Sequence, residues 1–276
     1  MENVTIPQKS KFNSVFAMIA IPLCLVVAHL IFYFIFGNPK NFGENGEPLP
    51  GNYLAIVYKG GFIVPILMSF FLMVFTFGVE RFLTIQQAYG KGSLDNFVRK
   101  IKGHLNSNDL AGAIAVCEEQ KGALGNVTLS VLNKYQQVWN AEGDKDAKQV
   151  AIQKELEESI ALELPILEKN LTILATLASV ATLVGLLGTV IGMIKAFAAL
   201  ASSGTPNAEA LATGISEALI NTATGIAGSA FAIIFYNLFT SQIDTLTHSM
   251  DEVGFTINQN FAAKYSEKSK KESVLA

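Results

Sequence analysis

Four long apolar runs, at residues 14–36, 62–79, 170–201 and 208–240, set the pattern of this chain. The last two are the longest, and no charged residue interrupts 171–194 or 218–237. Each meets the roughly 20 residues that an α-helix needs to cross a ~30 Å hydrocarbon core. Only residues 202–207 separate them, so the spacing predicts an antiparallel membrane hairpin. The first run contains Pro22, a kink position. It ends in the bulky IFYFIF rather than in a small-residue cleavage site, which favours a retained anchor over a signal peptide. The second run is of minimal length and is closed by Glu80 and Arg81.

The polar stretches differ in kind. Residues 1–13 form a short leader, and 37–61 is a Gly-, Pro- and Asn-rich irregular loop. Residues 80–169 read as wholly helical: Phe97, Ile101 and Leu105 recur at helical spacing, as do Leu110, Ile114 and Cys117 behind a candidate cap at Asn108. The glycines at 122 and 125 break that pattern and 127–139 resumes it. Residues 146–161 are charged, helical and joined to the third run without a loop signal. One helix of about 50 residues, some 75 Å long, is therefore expected, with a bend at Pro165. Beyond the fourth run, Ile243, Leu246, Met250, Val253, Ile257 and Phe261 form a bundle-type seam, expected to pack on that long helix. The polar end of 241–276 is expected to fray. The predicted class is an all-α membrane protein, four transmembrane helices with long helices extending into a helical cytoplasmic domain.

Composition agrees with this. Of 276 residues only 16% are charged, and the mean hydropathy of +0.38 is high for a water-soluble domain. A net charge of −3 and the lack of a large basic patch argue against nucleic acid. Two cysteines, Cys24 and Cys117, make no disulfide framework and read as small buried side chains. The basic residues also give an orientation. Lys9 and Lys11 precede the first span, Arg81, Lys91, Arg99, Lys100 and Lys102 follow the second, and Lys264, Lys268, Lys270 and Lys271 follow the fourth. The outer loops hold only Lys40 and Lys59. Both termini and the 80–169 region are thus expected to be cytoplasmic.

Candidate chemistry concentrates in the hairpin. Small residues line one stripe of each helix: Ala178, Thr182, Gly185, Gly188 and Gly192, then Gly214, Ala218, Gly225, Gly228 and Ala232. Such stripes let helix backbones approach in lipid. Thr182 and Thr189 share a face, as do Thr222 and Ser229. Counted from the turn, Thr189 and Thr222 fall at about the same depth, roughly 18–21 Å along their helices. Two readings stay open for these hydroxyls: bonds back to their own helix carbonyls, or the lining of a hydrated passage. A hydroxyl can relay a proton but does not titrate near neutral pH, and neither long span has a carboxylate near its centre. A proton-carrying acid would have to come from another polypeptide. Lys195 and Glu217, both towards the outer side, are close enough in depth to pair, within or between subunits. His29 is read as interfacial or hydrogen-bonded beside Tyr33. The scattered histidines, with no metal set, phosphate loop or nucleophile–base pair, make an enzyme or a bound cofactor improbable.

The motifs NLTILATLAS (170–179), GLLGTVIGMI (185–194) and GISEALINTATGIAGSAFAIIFYN (214–237) resemble the ExbB/TolQ/MotA proton-channel family, and the ExbB type most. DLAGAIAVCEEQKGALGNV (109–127) is similar to the family's linker helices. The resemblance implies a homopentamer in the bacterial inner membrane, its third and fourth spans lining a central lumen. An ExbD-like single-span partner would supply the missing intramembrane Asp, and a TonB-like protein would receive the proton-motive force for outer-membrane transport. The family's pore threonines fall on Thr189 and Thr222, and its outer glutamate on Glu217. Thr182 and Thr213 stand where many relatives carry proline, and Asn221 where a small apolar residue is usual. The first span is extra to the common three-span layout. A TolQ-like or MotA-like motor or stator subunit is the alternative within the family, and a passive membrane scaffold the alternative outside it.

Overall fold

The computed structural model describes residues 10–44, 46–202 and 208–275. The leader expected over 1–13 lies largely outside them, and the turn over 202–207 almost entirely so. Among the described residues the chain is helical, apart from turns and one isolated antiparallel bridge between Phe42 and Pro48. The helices are α1 (Ser10–Leu30), α2 (Tyr53–Tyr58), α3 (Ile63–Tyr89), α4 (Leu94–Asn106), α5 (Leu110–Gln120), α6 (Gly122–Trp139), α7 (Lys145–Glu168), α8 (Leu171–Ser202) and α9 (Ala208–Leu275). Four of them, α1 with its continuation, α3, α8 and α9, are long and apolar enough to cross a membrane. The protein is an all-α membrane protein.

Contacts divide the chain into two units, one of 1–80 with 170–237, the other of 81–169 with 238–276. In the first unit α8 and α9 pair antiparallel, and glycines set their approach. A Cβ on Gly185 would lie 2.9 Å from Asn221 O, one on Gly225 2.7 Å from Ala181 O, and one on Gly192 2.7 Å from Gly214 O. In lipid the apolar effect gives helices little reason to associate, so close backbone packing must do so. Phe71 and Phe75 of α3 meet Phe231 and Phe235 of α9 edge-on or tilted, with ring centroids 5.5–5.6 Å apart. Gly78 makes room for Phe235. On α1, Cys24 is buried with its Sγ 3.6 Å from Thr76 Oγ1. His29 Nδ1 is bonded to Leu25 O at 2.8 Å, with the Tyr33 ring 6.5 Å away.

The second unit has a conventional core. Phe97, Ile101 and Leu105 of α4, Ala113 and Cys117 of α5, and Val127, Val131 and Tyr135 of α6 are all buried. The expected seam Ile243, Leu246, Met250, Val253, Ile257 and Phe261 is buried throughout. It packs on more than one helix: Leu156 of α7 fills the space over Gly254, while Phe261 meets Tyr135 and Trp139 of α6 edge-on. Burial pushes the Cys117 thiol up to about 12, with the neighbouring Glu118 charge adding to the effect.

Five local expectations need correction. The helix entering the third span is not continuous. It breaks at Lys169–Asn170, where Asn170 takes φ +64° and donates its Nδ2 to Glu80 Oε2 at 3.2 Å. Asn tolerates this left-handed conformation better than most residues. Pro165 is accommodated inside α7. Secondly, α3 does not end at Glu80 and Arg81 but runs to Tyr89. Arg81 is fully buried because its guanidinium donates to Leu167 O at 3.1 Å and Ile166 O at 3.4 Å, unpaired carbonyls at the end of α7. Thirdly, the cap of α5 is Asp109, which accepts from Gly112 N, while Asn108 sits before it at φ +64°. Fourthly, residues 31–36 form a π-helical end to α1, and the following loop contains a 3-10 turn and α2. Lastly, the C-terminal segment stays helical to Leu275.

Candidate functional site

The site lies on the facing sides of α8 and α9, within the first unit. Thr189 and Thr222 are brought together directly, their hydroxyls hydrogen-bonded to each other. Each also reaches a carbonyl: Thr222 Oγ1 donates to Ala218 O at 3.2 Å, and Thr189 Oγ1 lies 3.3 Å from Gly185 O and 3.5 Å from Ala218 O. Each hydroxyl has one proton to give, so only two of these bonds can be donated at any moment. The pair can switch between donor arrangements without breaking the helices. Of the two readings open in the sequence, the structure shows the bonds back to own-helix carbonyls, and adds a cross-helix bond between the two hydroxyls. Both threonines are partly exposed.

Glu217, five residues before Thr222 on α9, is buried, with 6% of its side chain exposed. Its Oε1 accepts from Lys195 Nζ at 2.6 Å, within one chain. The lysine is half exposed and its ammonium lies 5.8 Å from the Phe62 ring centroid. An unpaired buried charge costs several kcal/mol, so Glu217 depends on the ammonium beside it.

The remaining candidates are placed elsewhere. Asn221 is fully buried between helices, with Gly188 leaving space for its side chain and Nδ2 donating to Gly60 O at 3.0 Å. Ser229 is buried and donates to Ala178 O across the hairpin. Thr182 is exposed, and its hydroxyl is not joined to the Thr189–Thr222 pair. Sequence reasoning missed Gly60 and Gly61, which sit against Asn221 and Glu217. The available signal was the Lys-Gly-Gly ahead of the second run, read there only as loop.

The sequence profile of the MotA/TolQ/ExbB proton channel family matches residues 120–252, which include both threonines and the Lys195–Glu217 pair. The chain is similar to the putative biopolymer transport protein ExbB-like 3 of a Synechocystis species, 30% identical over 185 residues, covering 66% of this chain and 82% of that one. It is 38% identical over 80 residues to the biopolymer transport protein ExbB of Salmonella typhimurium, covering 29% of this chain and 33% of that one. It is also 37% identical over 103 residues to the Tol-Pal system protein TolQ of Pseudomonas aeruginosa, 37% of this chain and 45% of that one. With four membrane-crossing helices and a hydroxyl pair at the heart of the matched hairpin, the chain belongs to the MotA/TolQ/ExbB proton channel family.

Proposed function

We propose that this chain is the channel subunit of an inner-membrane complex in which Thr189 and Thr222 carry protons past an acid supplied by a single-span, ExbD-like partner. The observation that supports this best is the direct hydroxyl–hydroxyl contact beside stretches, 171–194 and 218–237, that hold no carboxylate, while the nearby Glu217 is already paired with Lys195. A hydroxyl accepts a proton on one lone pair while giving one up, so two in contact can pass a proton from one helix to the other. The relay stores no charge. A carboxylic acid that alternates between protonated and ionised must therefore face it, and the intramembrane Asp of such a partner has that chemistry. Movement of that acid between its two states is the step that would convert proton flow into mechanical work.

In this reading five copies assemble around the partner's helices, with termini and the α4–α7 unit on the cytoplasmic side. The basic residues following α3 support that orientation. The similarity to ExbB proteins supports coupling to a TonB-like protein and outer-membrane transport. The similarity to TolQ supports, as a second reading, service in a Tol-Pal-type system. Co-purification with each candidate partner and mass measurement of the intact complex separates these.

Proton flux in vesicles containing the complex tests the relay. Thr222→Val keeps the shape of the side chain and removes the hydroxyl, and flux is expected to fall at least tenfold with the mass of the complex unchanged. Equal flux in the two proteins would favour a scaffold in which glycine and threonine only pack helices.

A further inference from the structure

We propose that the Gly60–Gly61 turn ahead of α3 is a wall of the Lys195–Glu217 site, and that Asn221 is the positioning residue holding it there. Three successive residues face three parts of the site. Gly60 offers its carbonyl to Asn221 Nδ2 at 3.0 Å. Gly61 presses its backbone onto Glu217, so closely that a Cβ there would run into Oε1. Phe62 places its ring 5.8 Å from the Lys195 ammonium.

Asn221 follows Glu217 by one helical turn and so shares its face of α9. It is fully buried, its Nδ2 is used on Gly60, and its Oδ1 has no hydrogen-bond partner. A buried amide that leaves an oxygen unsatisfied is costly, and the tether to Gly60 is what it makes in return. Gly61 has φ +80°, a conformation open to glycine and unfavourable for other residues. Backbone, and not a side chain, therefore covers the carboxylate. This explains why Glu217 is buried while Lys195, on the other side of the pair, keeps half its side chain exposed.

The turn is itself braced from the preceding segment. Tyr58 stacks on Phe32 with centroids 4.8 Å apart, and Lys59 pairs with Glu47 at 2.7 Å. Asn52 caps α2 and donates to Asn41 Oδ1 at 3.0 Å. Asn41 in turn donates to Ile35 O and Phe36 O at the end of the first span. The additional N-terminal span is thus linked, contact by contact, to the charged pair. The inference stands on this packing and does not require that the protein conduct protons.

The test is chemical protection of Glu217 in the full chain, in membranes. A water-soluble carbodiimide with an amine nucleophile labels accessible carboxylates, and peptide mass spectrometry reads the rate at each one. Exposed Glu209 on the same helix is the reference for reagent access, and Glu80, held by Asn170, reports general loosening. Asn221→Leu, similar in size but without the donor, is expected to raise the Glu217 rate about three- to tenfold, the worth of one buried hydrogen bond, with Glu80 unchanged. Asn41→Ala, distant from the pair, is expected to raise it in the same direction by less. An unchanged Glu217 rate in Asn221→Leu would overturn the proposal. So would an equal rise at Glu80 in both variants.

Discussion

The two units of this molecule hold together by opposite means. In the α8–α9 pair the contacts are backbone on backbone, made where side chains are missing, and large residues such as Leu183, Leu187, Ile194, Phe197 and Leu219 point outward. In the α4–α7 unit with the end of α9, the large residues point inward and the exposed positions are mostly polar. The solvent makes the difference. Water rewards the burial of apolar surface; lipid does not, and there the gain comes from fit, dispersion and a few buried polar bonds. Polar groups consequently play different parts. In the second unit, buried Lys148 is satisfied by Ala141 O and the Tyr265 hydroxyl and locks a corner. In the first, Thr189 and Thr222 bond to each other across the hairpin, and Lys195 pairs with buried Glu217.

The sharpest way to break this contrast is by size. Gly225→Leu should prevent the hairpin from closing and abolish recovery of the folded protein, since even a Cβ there meets backbone. Gly228→Ala should leave recovery unchanged, because a Cβ at that position finds its nearest neighbour at an ordinary 3.7 Å. A protein that tolerates both would not be held by backbone fit. In the second unit the reverse trimming matters: Phe261→Ala should cost about 3–5 kcal/mol, read from denaturation of that unit, by the rule for large buried aromatics.

A smaller effect separates the charged pair from ordinary surface ion pairs. Lys195→Ala and Glu217→Ala are each expected to destabilise, and the double variant by about 1–2 kcal/mol less than their sum, because one partner is buried and the other half exposed. Additive effects would sever the pair energetically. The smallest effect concerns Cys117. With its thiol pushed up to about 12, it should resist maleimide at pH 8 until the unit is unfolded. The sign for stability follows, since a raised value means the folded state favours the protonated thiol. That contribution is complete below about pH 9, where an unfolded thiol ionises, and is lost as pH rises towards 12.

How far the sequence could be read depended on how many residues share each signal. Membrane helices announce themselves through some twenty residues apiece, and the 243–261 seam through six, so both were legible. The Thr189–Thr222 contact was within reach because counting from a connection of few residues fixes depth in an antiparallel pair. Features decided by a single residue were not. The apolar pattern runs unbroken across Lys169–Asn170, yet one left-handed Asn ends a helix there. Arg81 looked like the polar end of a span, because sequence does not reveal that carbonyls of a distant helix end need its donors. The same blindness hid Gly60 and Gly61, whose use lies in contacts with residues more than 150 positions away.

The internal pairing of Lys195 with Glu217 bears on how the protein enters its membrane. A lone charge within an apolar helix is costly to insert, most of all near its centre, and either helix alone would carry one uncompensated charge from this pair. Joined across the hairpin they are neutral together, and the bond needs no neighbouring subunit. The two helices therefore have reason to pass from the insertion machinery into lipid as a unit, already folded back on each other, before any assembly begins.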